Sequence, residues 1–178
     1  MRTRTSTLRR MAGTAAVAGL VVTASAAVPA AAAQPPGSTV TRSSGTVVLS
    51  ARFGVQNQVT ASVSGTQLIM EDLSGIVAGP GCTQLSGTRA ACGSASTVGQ
   101  LTISVGDMDD TVTNNTNIRA VIDAGTGNDI IHGGGGNDTI NVHDGVGGDT
   151  VTCDGGFDVV YGDPGDNIAS DCEVRGVF

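Results

Sequence analysis

The chain is short of large side chains and lacks two residue types altogether. Its 178 residues include no tryptophan and no lysine, and only four aromatic residues, Phe53, Phe157, Tyr161 and Phe178. No stretch shows a sustained helical period with helix caps. These shortages argue against a globule around a large core. Short β-branched stretches separated by Gly, Ser and Asn predict instead a thin β architecture with a narrow core of Val, Ile and Leu.

The first 33 residues have the composition of an export signal. Four arginines precede an apolar run over residues 11–28, and a small-residue stretch ends at Ala33. This order predicts a signal peptide cleaved between Ala33 and Gln34, and hence a secreted, extracellular protein. A membrane anchor is the alternative, but two prolines follow instead of a basic stop-transfer flank. The pair Arg9-Arg10 leaves the twin-arginine route open beside the general one.

The charge balance narrows the choice of partners. Removal of the predicted signal leaves five basic residues against sixteen acidic ones, a formal charge of −11. Most of the acids lie after Asp107. Such a surface repels nucleic acid and anionic lipid and attracts cations. We therefore expect no nucleic-acid partner, and no membrane partner once the signal is removed.

Two consecutive nine-residue units occupy residues 124–141. They read Ala124-Gly-Thr-Gly-Asn-Asp-Ile-Ile-His and Gly133-Gly-Gly-Gly-Asn-Asp-Thr-Ile-Asn. Both fit G-G-x-G-x-D-x-U-x, where U is a large apolar residue, except that the first unit has alanine in place of the first glycine. Glycine permits a tight turn, the aspartate offers a carboxylate at its rim, and U points into a core. The pattern is a calcium-site signature.

The apolar position of the unit recurs along the chain at intervals of nine to eleven residues. The positions are Val112, Ile122, Ile131, Ile140, Val151, Val160 and Ala169. Two units then make one coil of about eighteen residues, and successive turns alternate between the two edges of a flattened right-handed spiral. One edge stacks Asp110, Asp129, Asp149 and Asn167, and the other stacks Asp138 and Asp158, with a defective unit at Ala120.

Residues 106–169 resemble the hemolysin-type (RTX) calcium-binding β-roll. The whole chain, with its signal segment and cysteines, also resembles small secreted calcium-binding proteins of actinobacterial type. The resemblance implies an all-β fold, a right-handed parallel β-roll with an N-terminal β segment packed on its first coil. It also implies Ca²⁺ as the cofactor, held between neighbouring turns.

Four segments follow from this interpretation. They are a signal peptide at residues 1–33, a flexible mature N-terminus at 34–45, a β segment with a disulfide loop at 46–105, and a calcium-binding β-roll at 106–178. The β segment would shield strand edges at the open end of the roll.

Calcium takes six to eight oxygen ligands, and one turn supplies too few. Carried over to this chain, the resemblance places ions between Asp110 and Asp129, between Asp129 and Asp149, and between Asp138 and Asp158. A fourth position pairs Asp149 with Asn167, where the amide keeps an oxygen but loses the charge. The carbonyls expected to complete the shells belong to Gly125, Gly127, Gly134, Gly136, Gly145 and Gly147. An insertion before Asp144 is expected to distort the middle position.

The cysteines predict two disulfides, since an exported chain meets oxidising conditions. Cys82 and Cys92 lie ten residues apart and favour a local bridge; a metal site lacks the CxxC spacing there. Cys153 and Cys172 lie nineteen residues apart, about one coil, and are expected to face each other across adjacent strands. Free or buried thiols are the alternative for this second pair.

The function expected from the sequence is a secreted calcium-binding β-roll that folds with calcium and has a structural, adhesive or interaction role. No nucleophile elbow appears, and His132 and His143 lack a third ligand for zinc. We therefore expect no enzyme. The alternative is a calcium-dependent polysaccharide lyase or hydrolase, for which Arg119 is the only arginine among the repeats. A folding module for a lost catalytic partner is a third reading. No partner or oligomeric state follows from the sequence.

Overall fold

The computed structural model describes residues 35–178, so the predicted signal peptide, its cleavage position and the alternative membrane anchor fall outside the described residues. No helix in the described residues is long and apolar enough to cross a bilayer. The strands are β1 (Ser38–Ser43), β2 (Thr46–Ala51), β3 (Gln58–Ser64), β4 (Gln67–Asp72), β5 (Ile76–Ala78), β6 (Thr83–Ser86), β7 (Arg89–Ser94), β8 (Gln100–Ser104), β9 (Thr111–Asn114), β10 (Ala120–Asp123), β11 (Ile130–His132), β12 (Thr139–Asn141), β13 (Thr150–Thr152), β14 (Val159–Gly162), β15 (Asn167–Ile168) and β16 (Val174–Val177). Within residues 35–178 one 3₁₀ turn, Ala95–Thr97, lies between β7 and β8.

The strands alternate between two facing sheets. One sheet has the order β16-β14-β12-β10-β8-β2-β1-β5, and the other has the order β15-β13-β11-β9-β3-β4-β7-β6. From β8 onward, consecutive strands enter opposite sheets, and each pairs in parallel with the strand one coil earlier. This is the all-β, parallel β-roll architecture that the sequence predicts.

Two stacks of aliphatic side chains fill the space between the sheets. In the first sheet Ile103, Ile122, Ile140 and Val160 are direct neighbours in register, and in the second Val112, Ile131 and Val151 are. All seven side chains are buried. The pattern of one inward residue in two, flanked by half-buried or exposed neighbours, follows from the pleat of a strand. The core is therefore as narrow as the scarcity of aromatic residues predicts.

The last inward position differs from the prediction. Ile168, not Ala169, aligns with Val151 and packs against the core. The reason is that the final turn is one residue shorter than the repeat, so extrapolating a nine-residue interval overshoots by one position.

The N-terminal segment is more closely joined to the roll than its predicted boundaries imply. Strands β2 and β3 pair in parallel with β8 and β9, so they form a coil of their own on which the repeats continue. Strands β1, β4, β6 and β7 then add antiparallel pairs that cover the end of the roll. The expected packing of this segment on the first coil agrees with the structure, whereas the limit at residue 105 divides a continuous pair of sheets.

The prediction of a flexible segment at residues 34–45 is wrong for residues 38–43. These residues form β1, which lies between β2 and β5, and Val40 within it is fully buried. The polar composition suggested a tail, but Ser38, Val40 and Arg42 all have partners: Arg42 donates to the Cys92 carbonyl at 2.7 Å. Tertiary pairing thus overrides the local composition.

Two disulfides close the described chain, Cys82–Cys92 beside β6 and β7 and Cys153–Cys172 at the last coil. These are the two pairings predicted. The Cα atoms of Cys153 and Cys172 are 5.2 Å apart, the distance between neighbouring strands. The second bridge therefore fastens the final coil, where no further turn follows.

Replacing Cys153 and Cys172 together by serine should lower the free energy of unfolding by about 3 kcal/mol, because the bridge closes a nineteen-residue loop in the unfolded chain. Replacing Cys82 and Cys92, which enclose only ten residues, should cost less. Denaturant unfolding in calcium-saturated buffer measures both. Peptide mapping that joined Cys82 to Cys153 would contradict the assignment.

The stacking of buried aliphatic side chains predicts that substitutions at two adjacent residues of β11 will have very different effects on stability. Ile131→Ala should destabilise the protein by about 2–5 kcal/mol, since it empties a fully buried position. Ile130→Ala, at a side chain that is 45% exposed, should change stability by roughly 0.5 kcal/mol or less. Equal effects of the two substitutions in urea unfolding would show that the core does not lie where the structure places it.

Candidate metal centre

The turns between the sheets stack along two edges of the roll. The first edge, as we call it, consists of the turns at residues 52–57, 105–110, 124–129, 142–149 and 163–166. The second edge comprises the turns at residues 115–119, 133–138, 153–158 and 169–173. The acids of the nonapeptide repeats lie at the ends of these turns, immediately before a strand begins.

Along the first edge, each acid reaches back to the turn one coil earlier. The backbone N–H of Asp110 donates to Oδ1 of Asp129 at 2.8 Å, and the N–H of Asp129 donates to Oδ1 of Asp149 at 2.7 Å. The same contact joins Asn57 to Asp110 at 2.6 Å and Asp149 to Asp166 at 3.1 Å. We call each of these contacts a rung. The rungs hold four carboxylates in one column.

The second edge carries the same arrangement. The N–H of Ala120 donates to Asp138 Oδ1 at 2.6 Å, and that of Asp138 donates to Asp158 Oδ1 at 2.7 Å. The N–H of Asp158 then donates to Glu173 Oε2 at 2.8 Å. The unit at Ala120 lacks a carboxylate of its own, yet its backbone still completes a rung.

The second oxygen of most of these carboxylates has no partner. Oδ2 of Asp110, Asp129, Asp138 and Asp158 is buried and receives no hydrogen bond from the described residues. All four residues are at most 1% exposed. A buried carboxylate oxygen without a donor costs several kcal/mol unless something neutralises it. A cation bound at each of these turns would satisfy the unpartnered oxygen there.

Burial and mutual repulsion oppose ionisation of the column. Burial is the largest cause that raises the pKa of Asp110 and Asp138 to about 7 and that of Asp129 and Asp149 to about 6. The rung hydrogen bonds act in the opposite direction, and the next carboxylate along the edge adds to the rise. The pKa of Asp158 is raised for the same reasons. Ionising these closely spaced carboxylates is therefore costly unless a counter-charge is bound beside them.

Glycine lets neighbouring turns approach until the carbonyls of one face the backbone of the next. Gly125 has a φ of 88°, and a Cβ there would collide with the carbonyl oxygen of Gly106. Gly156 has a φ of 135°, and a Cβ there would collide with the carbonyl oxygen of Gly136. A side chain at either position would both strain the turn and fill the space where oxygen atoms meet.

The donor set fits a hard divalent cation. Each pair of stacked turns supplies one or two carboxylates and several backbone carbonyls, which is the oxygen mixture calcium takes in a shell of six to eight. No group of three or more acidic, histidine or cysteine side chains converges anywhere in residues 35–178. Most of the ligands would therefore be carbonyl oxygens.

The six glycines predicted as ligands lie in the expected turns. Gly125, Gly127, Gly145 and Gly147 belong to the first edge, and Gly134 and Gly136 to the second. At Gly134 an added Cβ would meet the carbonyls of Asn114 and Thr116, so two backbone oxygens come close at that turn. Whether each glycine carbonyl binds an ion stays a prediction.

Asn167 does not occupy the turn position assigned to it. It is an exposed residue at the start of β15, paired with Thr150, and Asp166 instead accepts the Asp149 N–H. The missed signal is a shortened unit, Asp163-Pro-Gly-Asp166, which still places glycine before an acid. The column therefore ends in a carboxylate, not an amide.

Two acids near the end of the chain, Asp171 and Glu173, accept backbone hydrogen bonds from the turn one coil earlier. Glu173 forms the last rung of the second edge, and Asp171 accepts the N–H of Asp154 at 3.0 Å. Neither lies in a recognisable repeat, and only the register of β14 with β16 brings them under the preceding turn.

The insertion before Asp144 leaves the middle position intact. Ile131 stays in register with Val151, and the rung between Asp129 and Asp149 has an ordinary length. The extra residues bulge outward, where Val146 is 64% exposed. The expected distortion is not found.

The two histidines lie in different elements, His132 at the end of β11 and His143 in the turn that follows β12. His132 Nδ1 lies 2.6 Å from Thr152 Oγ1, and His143 Nδ1 lies 2.8 Å from Asp163 Oδ1. Although burial tends to raise the pKa of Asp163, N–H donors from Gly145 and Asp144 together with His143 hold it below its ordinary value. Asp163 is thus a structural acceptor that the sequence did not single out.

Comparison with known families agrees with this geometry. Residues 120–146 and 143–169 match the family described as RTX calcium-binding nonapeptide repeat (4 copies). The matched residues contain the turns of Asp129, Asp138, Asp149 and Asp158. The repeat region is therefore a hemolysin-type calcium-binding β-roll, and its cofactor is Ca²⁺. No curated protein and no solved structure matches the chain.

The raised pKa values predict how stability depends on pH when calcium is removed by a chelator. Because the folded acids bind protons more tightly than unfolded ones, whose pKa is 3.8, the stabilising effect of protonation is complete below about pH 4. It is lost as the pH rises through about 6 to 7. Far-UV circular dichroism in chelator measures the trend, since more β structure should be present at about pH 4 than at about pH 8.

With saturating calcium the direction should reverse, because protons then compete with the ion for the same oxygens. Calcium-free protein that became more stable as the pH rose through this interval would contradict the burial of the carboxylate column.

Proposed function

We propose that the protein is an exported, non-enzymatic calcium-binding protein whose β-roll folds when calcium binds, and that it has a structural, adhesive or interaction role outside the cell. The observation that carries the proposal is the set of buried, unpartnered carboxylate oxygens on the two edges, at Asp110, Asp129, Asp138 and Asp158. Without a cation these atoms are neither solvated nor hydrogen-bonded.

The coupling of folding to calcium follows from the balance between the cost of ordering the turns and the gain from burying the core. Ordering glycine-rich turns loses much conformational entropy, and aligning carboxylates one coil apart adds repulsion. The hydrophobic free energy that offsets these costs comes from a narrow core of only two stacks of aliphatic side chains. Calcium supplies the missing free energy because it binds the stacked turns and not the unfolded chain.

The calcium affinity expected for such sites is consistent with a protein that is exported from the cell. Extracellular calcium modules bind with dissociation constants of about 10⁻⁴–10⁻³ M, so such sites stay empty inside a cell and fill outside. The N-terminal segment supports the same location, since four arginines and an apolar run precede Ala33. Two disulfides are also typical of exported chains.

The alternative of a polysaccharide lyase or hydrolase is not favoured. Such chemistry needs a base beside the ion and a groove for the sugar chain. The candidate base, Arg119, is an exposed residue whose charge acts on Asp138, where it opposes the rise in pKa. An arginine in that position serves as a counter-charge to the column.

Calcium titration tests the proposal directly. Far-UV circular dichroism of the purified protein should show a cooperative gain of β structure as calcium replaces chelator. Asp158→Asn, which keeps the rung acceptor but removes the charge, should raise the calcium midpoint by about tenfold or more. Asp154→Asn, at an exposed acid of the same turn, is the matched control and should leave the midpoint nearly unchanged.

Identical spectra in calcium and in chelator would refute the coupling of folding to the ion. Failure of the protein to bind calcium at millimolar concentration would refute the function as a whole.

A further inference from the structure

The first edge begins two turns before the matched repeats, with the turns at residues 52–57 and 105–110. Strands β2 and β3 enclose the turn at residues 52–57, and their inward residues Leu49 and Val59 align with Ile103 and Val112 of the next coil. The family match begins only at residue 120. The turn at 52–57 is therefore a stacked turn of the roll that carries no nonapeptide motif.

Asp110 faces this turn in the same way as the repeat acids face theirs. Its Oδ1 accepts the N–H of Asn57 at 2.6 Å, whereas Asp129 accepts the N–H of Asp110 at 2.8 Å. Its Oδ2 is buried and without a partner, as in Asp129. Since the carboxylate lies against the backbone of Asn57, the unpartnered oxygen belongs to the space between residues 52–57 and 106–110.

A second carboxylate lies against the same pair of turns. Oδ1 of Asp107 accepts the N–H of Gly54 at 2.5 Å. The side chain of Asn57 is directed the other way, since its amide nitrogen donates to Asp72 and Ser74 at 2.7 and 2.8 Å. The side-chain oxygens that meet in this space are therefore those of Asp110 and Asp107.

We propose that a calcium ion binds between the turns at residues 52–57 and 106–110, one coil ahead of the recognisable repeats, with Asp110 as its buried carboxylate ligand and Asp107 as a second. The site rests on the proposed function, because it uses the same ion and the same edge. The ion would fasten the first coil of the roll to the N-terminal β segment, whose own core contains Leu68 and Met70.

Counting bound ions separates this site from its neighbours. Asp110→Asn and Asp129→Asn each keep the rung acceptor and remove one carboxylate. In the proposed arrangement Asp110 binds the ion beside the turn at 52–57, and Asp129 binds the ion beside the following turn. Each variant should then bind one calcium ion fewer than the unaltered protein in calorimetry and native mass spectrometry. The double variant should bind two fewer. Asp109→Asn, at an exposed acid of the same turn, is the control and should bind the full number.

Asp107→Asn provides a second test if Asp110→Asn does not fold. It alters a partly exposed residue, keeps the acceptor for Gly54, and should weaken one ion by about tenfold without changing the others. A double variant of Asp110 and Asp129 that lost only one ion would show a single shared site and overturn the inference. So would full calcium binding by both Asp107→Asn and Asp110→Asn.

These outcomes differ from a failure of the proposed function. If the unaltered protein takes up calcium and folds with it, but the two variants at the turn bind the full number of ions, only the site at residues 52–57 is wrong. If the unaltered protein takes up no calcium, the function itself is refuted.

Discussion

The structure depends on carboxylates that are only half satisfied. In four of the stacked turns one oxygen of the aspartate accepts a backbone N–H from the preceding coil, as Asp129 does from Asp110, while the other oxygen is buried without a donor. The first contact sets the spacing of the coils, and the second creates the demand for a cation. The same side chain thus specifies both the register of the roll and its need for calcium. Neither role is separable from the close stacking that glycine permits at the turns.

The two ends of the roll are stabilised by different means. A stack of parallel strands leaves unpaired backbone groups at each end, which invite association with other chains. At the N-terminal end the antiparallel strands β1, β4, β6 and β7 continue the sheets and carry the Cys82–Cys92 bridge. At the other end Cys153–Cys172 joins the last two turns of the second edge, and Glu173 completes its column of rungs. Both closures are covalent as well as hydrogen-bonded, and thus suit a narrow core that contributes limited stability.

Rungs tolerate wide variation in sequence because they need only an oxygen acceptor at the right height. Ala120 takes part through its backbone alone, Glu173 replaces aspartate with a longer side chain, and Asp166 follows a shortened unit. Carboxylates outside the motif, such as Asp163, also accept N–H groups from the previous coil. The edges of the roll are therefore longer than the stretch in which the nonapeptide pattern can be recognised. This difference explains how a chain with two well-formed repeats builds five stacked turns along one edge.

The sequence by itself determined the all-β class, the two-edged stacking of turns, the calcium chemistry and both disulfide pairings. It did so because glycine, the turn acid and the inward apolar residue recur at intervals that equal half a coil, as at Asp129 and Ile131. Only the tertiary structure decided that Asp166 and Ile168 take the places expected for Asn167 and Ala169, and that residues 38–43 form a strand. Those positions depend on backbone pairing with a strand that is distant in sequence. Such pairing does not require the nonapeptide motif; it requires only that an N–H group finds an oxygen acceptor and that an apolar side chain packs into the core.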